Sequence, residues 1–108
     1  MNINEVLKNK MLNNFKYYKA KYNKTFKNML TYSLIDERNM IGGLSRYVAR
    51  EDKWLLTTIF ESCNADYSGV PEVLIMQYKD YFPNEIIKLV EERLSFWQID
   101  WERYVEVK

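Results

Sequence analysis

Apolar side chains recur at helical spacing through the first quarter of the chain. The steps between them are four, four, four, three, four and four residues, which places them on one side of an α-helix. The residues of this stripe are Ile3, Leu7, Met11, Phe15, Tyr18, Tyr22 and Phe26. Asn2, followed three residues later by Glu5, is typical of a helix start, because both side chains can cap free backbone N–H groups. The pattern predicts an amphipathic helix and leaves open whether Thr25 begins a second helix that runs to about Arg38.

Further helices are predicted downstream of a glycine pair. Gly42-Gly43 indicates a helix end and a turn, after which apolar spacing resumes. The segment from Trp54 to Phe60 lacks two-residue alternation and favours a helix, although its β-branched and aromatic residues leave a strand as the alternative. The composition of residues 64–70 predicts a loop, because Asn, Asp, Ser and Gly favour turns.

Two helices are predicted in the last third of the chain. Pro71 suits a first helical turn, and the segment to Phe82 is apolar nearly all round, which indicates a central helix. Pro83 precedes the strongest periodic segment of the chain. The stripe of this last helix is Ile86, Val90, Leu94, Trp97, Trp101 and either Tyr104 or Val105.

These segments predict a single all-α domain over residues 1–108, a bundle of four or five helices broken near Asn23, Gly42, Asn64 and Pro83. A chain of this length can bury one core without disulfides or a metal. The predicted core is Leu7, Met11, Phe15, Leu55, Ile59, Leu74, Val90, Leu94 and Trp97. The alternative is an α+β fold, with a short hairpin formed by residues 54–60 and the tail 104–108.

The composition excludes several chemistries. The chain has no histidine, so it cannot supply a serine–histidine or cysteine–histidine nucleophile or a histidine zinc site. Cys63 is the single cysteine, which excludes an intramolecular disulfide and favours packing as a small hydrophobe. No carboxylate pair or glycine-rich phosphate loop has the required spacing. We therefore expect no cofactor, no metal and no enzymatic activity.

Neither a secretory signal nor a membrane span is predicted. The first residues lack a basic region followed by an apolar one, and the longest apolar runs are far shorter than a bilayer requires. We therefore expect a cytoplasmic protein. The excess of Asn, Lys, Tyr and Ile is what A+T-rich codons supply, which points to a bacterial or phage origin.

Charge is segregated along the chain. The first thirty residues contain seven lysines and one acid, Glu5, whereas the residues from Glu61 onward contain ten acids and five bases. The net charge of +1 conceals this separation. Clustered charge steers association with partners of opposite sign, so each end is a candidate binding surface.

The acidic end gives the first functional hypothesis. On a continuous last helix, Glu91, Ser95, Gln98, Glu102 and Glu106 follow one another at steps of four, three, four and four, and so form one strip. Such a strip, with Asp100 beside it, could occupy the basic groove of another protein. By analogy of size and charge, this predicts a protein-binding antagonist, such as a toxin-neutralising immunity protein (antitoxin) or a phage inhibitor of a defence effector. The predicted partner is a nuclease toxin or such an effector.

The basic end gives the alternative hypothesis. Lys16, Lys19, Lys21 and Lys24 alternate with aromatic residues, a combination that nucleic-acid binders use for phosphates and bases. Most of those rings belong to the apolar stripe, which leaves Tyr17 for stacking. The alternative is thus a nucleic-acid-binding accessory or regulatory protein. A solvated surface explains either charged end equally simply, and no pattern indicates an oligomeric state.

Overall fold

The computed structural model describes residues 2–26, 38–50 and 54–104, and within them every regular element is helical. The α-helices are α1 (Ile3–Tyr22), α2 (Met40–Ala49), α3 (Trp54–Ser62), α4 (Pro71–Gln77) and α5 (Asn84–Phe96). Short 3₁₀ turns follow α4 at Lys79–Tyr81 and α5 at Trp101–Tyr104. The predicted all-α bundle is confirmed. The strand alternative for residues 54–60 is wrong because they lie within α3. Most of the second helix predicted from Thr25 to about Arg38, namely residues 27–37, and the tail 105–108 lie outside the described residues.

Asparagine side chains cap the first two helices. The Asn2 carboxamide oxygen accepts hydrogen bonds from the N–H groups of Asn4 at 3.1 Å and Glu5 at 3.4 Å, as its position predicts. Asn39 caps α2 in the same way, accepting from the Gly42 N–H at 3.0 Å. The helix therefore begins upstream of the glycine pair, and the predicted break at Gly42 is wrong. A Cβ at Gly42 would lie 2.5 Å from the Asn39 side-chain nitrogen, so glycine here leaves room for the cap.

Several helix ends are formed by residues other than glycine in the left-handed conformation. Asn23 (φ 56°) ends α1, and Asn64 (φ 52°) with Ala65 (φ 54°) follows α3, which confirms the predicted breaks at both asparagines. Pro83 precedes α5, which confirms that break too. Asparagine adopts this conformation more readily than most residues, which is why it is a recognisable stop signal.

The end of α5 departs from the prediction. Gln98 (φ 56°) donates its N–H to the Ser95 carbonyl at 3.1 Å, and Ile99 donates to the Leu94 carbonyl at 2.8 Å. These two bonds form a Schellman motif, and the buried side chains of Leu94 and Ile99 provide its usual apolar contact. The expectation that the helix continues to Tyr104 is wrong, because this motif ends it at Phe96.

The core surrounds α4, whose residues Pro71–Met76 are all buried. This confirms the predicted central helix, which contacts α1, α2 and α5, although α4 ends at Gln77 and not at Phe82 as predicted. Seven of the nine predicted core residues are buried, while Phe15 and Trp97 are partly exposed and pack against the core. Cys63 is buried among apolar side chains, as expected for a small hydrophobe. None of the helices in the described part of the chain has the length and apolar character needed to cross a membrane.

Candidate partner-binding surface

The predicted partner-binding residues do not share one helical edge. Glu91 lies on the exposed face of α5. The others that the structure describes come after the end of that helix, and these are Gln98, Asp100 and Glu102. All four side chains are exposed, whereas Glu106 lies outside the described residues. The single strip is thus replaced by acids on α5 and acids on the turn that follows it.

Exposed acids outnumber exposed bases, by seven to three, over residues 54–104. The acids are Glu61, Asp80, Glu85, Glu91, Glu92, Asp100 and Glu102, and the bases are Lys79, Lys88 and Arg103. An excess of one sign raises the rate of encounter with a partner of the other sign, and salt weakens the effect. The exposed side chains of residues 54–104 therefore carry an excess of negative charge.

The acidic turn after α5 is held in place by contacts with its surroundings. The Asp100 Oδ1 accepts a hydrogen bond from the Glu102 N–H at 3.2 Å, which starts the 3₁₀ turn. The Gln77 side-chain amide donates to the Tyr104 carbonyl at 3.0 Å and so ties the turn to α4. The Lys79 ammonium lies 5.9 Å from the Trp101 ring centroid, within the range of a cation–π contact.

A groove of about 220 Å³ lies beside this turn. Aromatic side chains from α3, from the loop after it and from the segment after α5 form much of its wall, together with one acid and one base. These residues are Phe60, Tyr67, Trp97, Tyr104, Asp100 and Arg103. Burial raises the pKa of Tyr67, so this ring remains a neutral phenol at physiological pH. The groove wall therefore combines aromatic side chains with one carboxylate and one guanidinium.

Two phenylalanines stand out from the surface around the groove. Phe96, the last residue of α5, is 75% exposed, and Phe60 on the groove wall is 62% exposed. The Phe96 ring meets the Trp97 ring edge to face, with centroids 6.3 Å apart. Large exposed rings next to a groove are typical of interface anchors, because their burial on binding contributes much of the affinity.

The lysines of the alternative hypothesis lie on α1 and just after it. Lys16, Lys19 and Lys21 are exposed and Lys24 is half-buried. Lys19 donates to the Asn23 side-chain oxygen at 2.9 Å, which places this ammonium at the end of its own helix. These positions suit contact with phosphates but also suit simple solvation.

Tyr17 is not available for base stacking, which corrects the expectation from sequence. Its hydroxyl donates to the Asp66 carboxylate oxygen Oδ2 and accepts from the Lys21 ammonium at 3.1 Å. The Lys21 ammonium also lies 5.4 Å from the Tyr17 ring centroid and 5.5 Å from that of Tyr22. The hydrogen bond that Lys21 donates to the Tyr17 hydroxyl raises the pKa of Lys21. The aromatic residue predicted to stack on bases is therefore held against the loop after α3.

Asp66 collects hydrogen bonds from α1 and from its own loop. The Tyr22 hydroxyl donates to Oδ2 at 2.7 Å, and the Ser68 hydroxyl and N–H donate to Oδ1 at 2.6 and 3.2 Å. Burial acts to raise the pKa of Asp66, but the bonds from Ser68, Tyr17 and Tyr22 outweigh it and hold that pKa below its ordinary value. The same carboxylate raises the pKa of Tyr22. We call this group, residues 17, 22, 66 and 68, the Asp66 cluster.

Tyr18 connects the same helix and loop through the backbone. Its hydroxyl donates to the Asp66 carbonyl at 2.7 Å and accepts from the Gly69 N–H at 3.0 Å. The side chain is fully buried, and burial raises its pKa, so it remains a neutral phenol. A Cβ at Gly69 would lie 2.8 Å from the Tyr18 ring, so the loop approaches this closely because residue 69 has no side chain. The loop that carries Tyr67 on the groove wall is thereby anchored to α1.

A buried ion pair joins α4 to α5. The Arg93 guanidinium lies 3.2 Å from Glu72 Oε2, and Glu72 is only 2% exposed. The second guanidinium nitrogen donates to the carbonyls of Val48 at 2.8 Å and Arg50 at 3.3 Å, at the end of α2. Burial raises the pKa of Glu72 in spite of the adjacent guanidinium. This arrangement is structural, because both side chains are enclosed by three helices.

Neither the Asp66 cluster nor the buried ion pair was identified from sequence. Their residues come from segments 21 to 49 positions apart, and only the fold brings them together. Tyr18 and Tyr22 belong to the predicted apolar stripe, but tyrosine hydroxyls also need hydrogen-bond partners when buried. Over the described ranges, His, Cys, Asp and Glu form no group of three or more that could hold a metal ion.

Comparison with known proteins leaves the function to be argued from geometry. The chain matches no protein-family model, no curated protein sequence and no solved structure.

Proposed function

We propose that this protein is a non-enzymatic antagonist that binds another protein and covers a basic, nuclease-like site on it. The supporting observation is that exposed aromatic rings adjoin exposed acids: Phe96 is 75% exposed, and Trp97, in contact with it, shares the groove wall with Asp100. Acids give speed and orientation of encounter, while buried rings give affinity. A surface that offers both acids and exposed rings is better explained by binding to a basic protein than by simple solvation.

The proposed mechanism is occlusion. Glu91, Asp100 and Glu102 would face cationic side chains that otherwise bind nucleic acid, and Phe96 would be buried against the apolar part of the partner. Electrostatic attraction would make capture fast and sensitive to salt. A toxin-neutralising immunity protein or a phage-encoded inhibitor, acting in the cytoplasm of a bacterium, is the class that fits this mechanism.

We expect the tagged full-length chain to capture a basic protein from an extract of its source organism at low salt and to lose it at high salt. The triple variant Glu91→Lys/Asp100→Lys/Glu102→Lys should lose this capture, because attraction becomes repulsion. Phe96→Ala should weaken binding about tenfold or more, as expected for a buried aromatic anchor. The captured protein, once purified, should degrade nucleic acid alone and be inhibited by the wild-type chain.

A matched charge reversal on the other end provides the control. Lys16→Glu/Lys19→Glu changes exposed residues of α1 and should leave capture and inhibition unchanged. If the wild-type chain instead binds generic DNA or RNA, and this double variant abolishes that binding, the nucleic-acid hypothesis is correct. If the triple variant, in which the three acids are replaced by lysine, still inhibits the partner, the proposed mechanism is contradicted.

A further inference from the structure

We propose that the groove beside the Trp101–Tyr104 turn receives one arginine side chain of the protein partner, an assignment that rests on the proposed function. The groove is lined by four aromatic residues together with one carboxylate and one guanidinium, and these are Phe60, Tyr67, Trp97, Tyr104, Asp100 and Arg103. Size, ring chemistry and charge each point to the same occupant.

The size of the groove suits one long side chain. Its volume of about 220 Å³ equals that of roughly seven water molecules, at about 30 Å³ each. Pockets for small organic ligands begin at about 300 Å³ and enclose most of the ligand surface. A groove smaller than this, at the surface and lined by exposed side chains such as Phe60, fits a single protruding residue of a macromolecule.

The rings of the groove favour a cation. Electron-rich ring faces attract ammonium and guanidinium groups within about 6 Å of the centroid. The protein already contains one such contact on this wall, because the Arg103 guanidinium carbon lies 5.4 Å from the Tyr104 ring centroid. Phe60, which is 62% exposed, and the partly buried Trp97 line the same groove and are the rings that a second guanidinium would contact.

Charge around the groove also favours a cation. Asp100 lies on the wall, and the exposed Glu61 and Glu102 are the chain neighbours of Phe60 and Arg103. The wall itself carries one carboxylate and one guanidinium, and two further exposed carboxylates adjoin wall residues in the chain. The Asp100 Oδ1 accepts from the Glu102 N–H, and a carboxylate has enough lone pairs to accept from a guanidinium as well. Arginine is assigned rather than lysine because its planar group stacks on rings while it donates to a carboxylate.

The probe for this assignment is Nα-acetyl-arginine amide, titrated into the full-length ¹⁵N-labelled protein. Nα-acetyl-citrulline amide has nearly the same shape without the charge, and Nα-acetyl-lysine amide has the charge without the planar group. We expect saturable shifts of the Trp97 indole N–H and of backbone amides around Asp100 with the arginine probe. Binding of the citrulline probe should be at least about tenfold weaker, because it lacks the cation–π and charge-assisted contacts.

Two variants test the wall directly. Asp100→Asn keeps an acceptor for the Glu102 N–H but removes the charge, and Phe60→Ala removes an exposed ring; each should weaken arginine binding several-fold without unfolding the chain. Glu85→Gln removes an exposed acid at the opposite end of α5 and should leave binding unchanged.

The outcomes separate this assignment from the proposed function. Equal binding of arginine and citrulline, tighter binding of lysine, or no saturable shift at tens of millimolar arginine probe would each overturn the groove assignment. These three measurements do not involve the partner. If one of them fails while the chain still captures a basic protein, only the groove assignment is contradicted. Selective arginine binding by a chain that captures no basic protein would instead contradict the proposed function.

Discussion

Replacing Arg93 with methionine should lower the free energy of unfolding by about 3–5 kcal/mol, because it leaves a buried carboxylate without its partner. Glu72 is 2% exposed, and its other oxygen, Oε1, already has no hydrogen-bond partner among the described residues. The substitution also removes the donor to the Val48 and Arg50 carbonyls at the end of α2. Urea unfolding followed by far-UV circular dichroism measures the change.

The matched control is the double variant Arg93→Met/Glu72→Met. Buried ion pairs replaced by apolar residues of similar volume are often neutral in stability, so the double variant should recover most of the loss. A double variant as unstable as the single one would show that the lost carbonyl contacts, not the unpaired charge, dominate.

Acidification separates these two contributions further. Burial raises the pKa of Glu72, and removal of the guanidinium raises it more. A carboxyl whose pKa is higher in the folded state favours folding when protonated, and this contribution disappears as the pH rises through the folded-state pKa. The deficit of the single variant relative to wild type should therefore shrink at acidic pH. It should not vanish, because the two carbonyls still lack their donor.

Replacing Asp66 with alanine should lower the free energy of unfolding by about 2–3 kcal/mol, because hydrogen bonds to a charged acceptor are among the stronger ones. The hydroxyls of Tyr17 and Tyr22 lose the acceptor that holds α1 to the loop after α3. Urea unfolding again measures the change. Tyr22→Phe removes one of the donors and should have a smaller effect, and an effect as large as that of Asp66→Ala would contradict the shared role of the cluster.

The pH dependence of stability gives an independent measure of the same cluster. The pKa of Asp66 is lowered in the folded state, so its contribution is fully present above the unfolded value of about 3.9 and is lost as the pH falls through the folded-state pKa. Asp66→Asn should remove this part of the acid sensitivity. If wild type and Asp66→Asn lose stability in parallel between neutral pH and about pH 3, the lowered pKa of Asp66 does not contribute to the acid sensitivity of the protein.

Sequence periodicity predicted the helices in which apolar residues recur at the spacing of helical turns. The stripe of α1 and the all-round apolar composition of α4 both correspond to what the structure buries. Two of the boundaries that were wrong have related causes. Asn39 starts α2 ahead of Gly42, and Gln98 ends α5 although glutamine is not a stop signal. The first boundary depends on a side-chain cap and the second on an apolar contact across the helix end, and the helix propensities of single residues encode neither.

The candidate surface was only partly predictable. The exposure of Glu91, Asp100 and Glu102 followed from their charge, but their arrangement did not, because the end of α5 lies between them. The groove was not predicted, since it depends on the turn after α5 and on Phe60 from α3. Tyr17 was predicted to be free for stacking on bases because spacing shows which face of the helix a residue occupies, not which distant loop contacts it.

The left-handed residues of this chain have a consequence for engineering its stability. Asn23, Asn64, Ala65 and Gln98 adopt positive φ, whereas none of the three glycines does. This conformation costs a residue such as alanine or glutamine about 1–2 kcal/mol, which the surrounding packing must offset. Ala65 and Gln98 both line the groove. The most accessible stabilising substitutions, to glycine, therefore lie on the rim of the candidate binding site, where a gain in thermostability would also alter the shape presented to a partner.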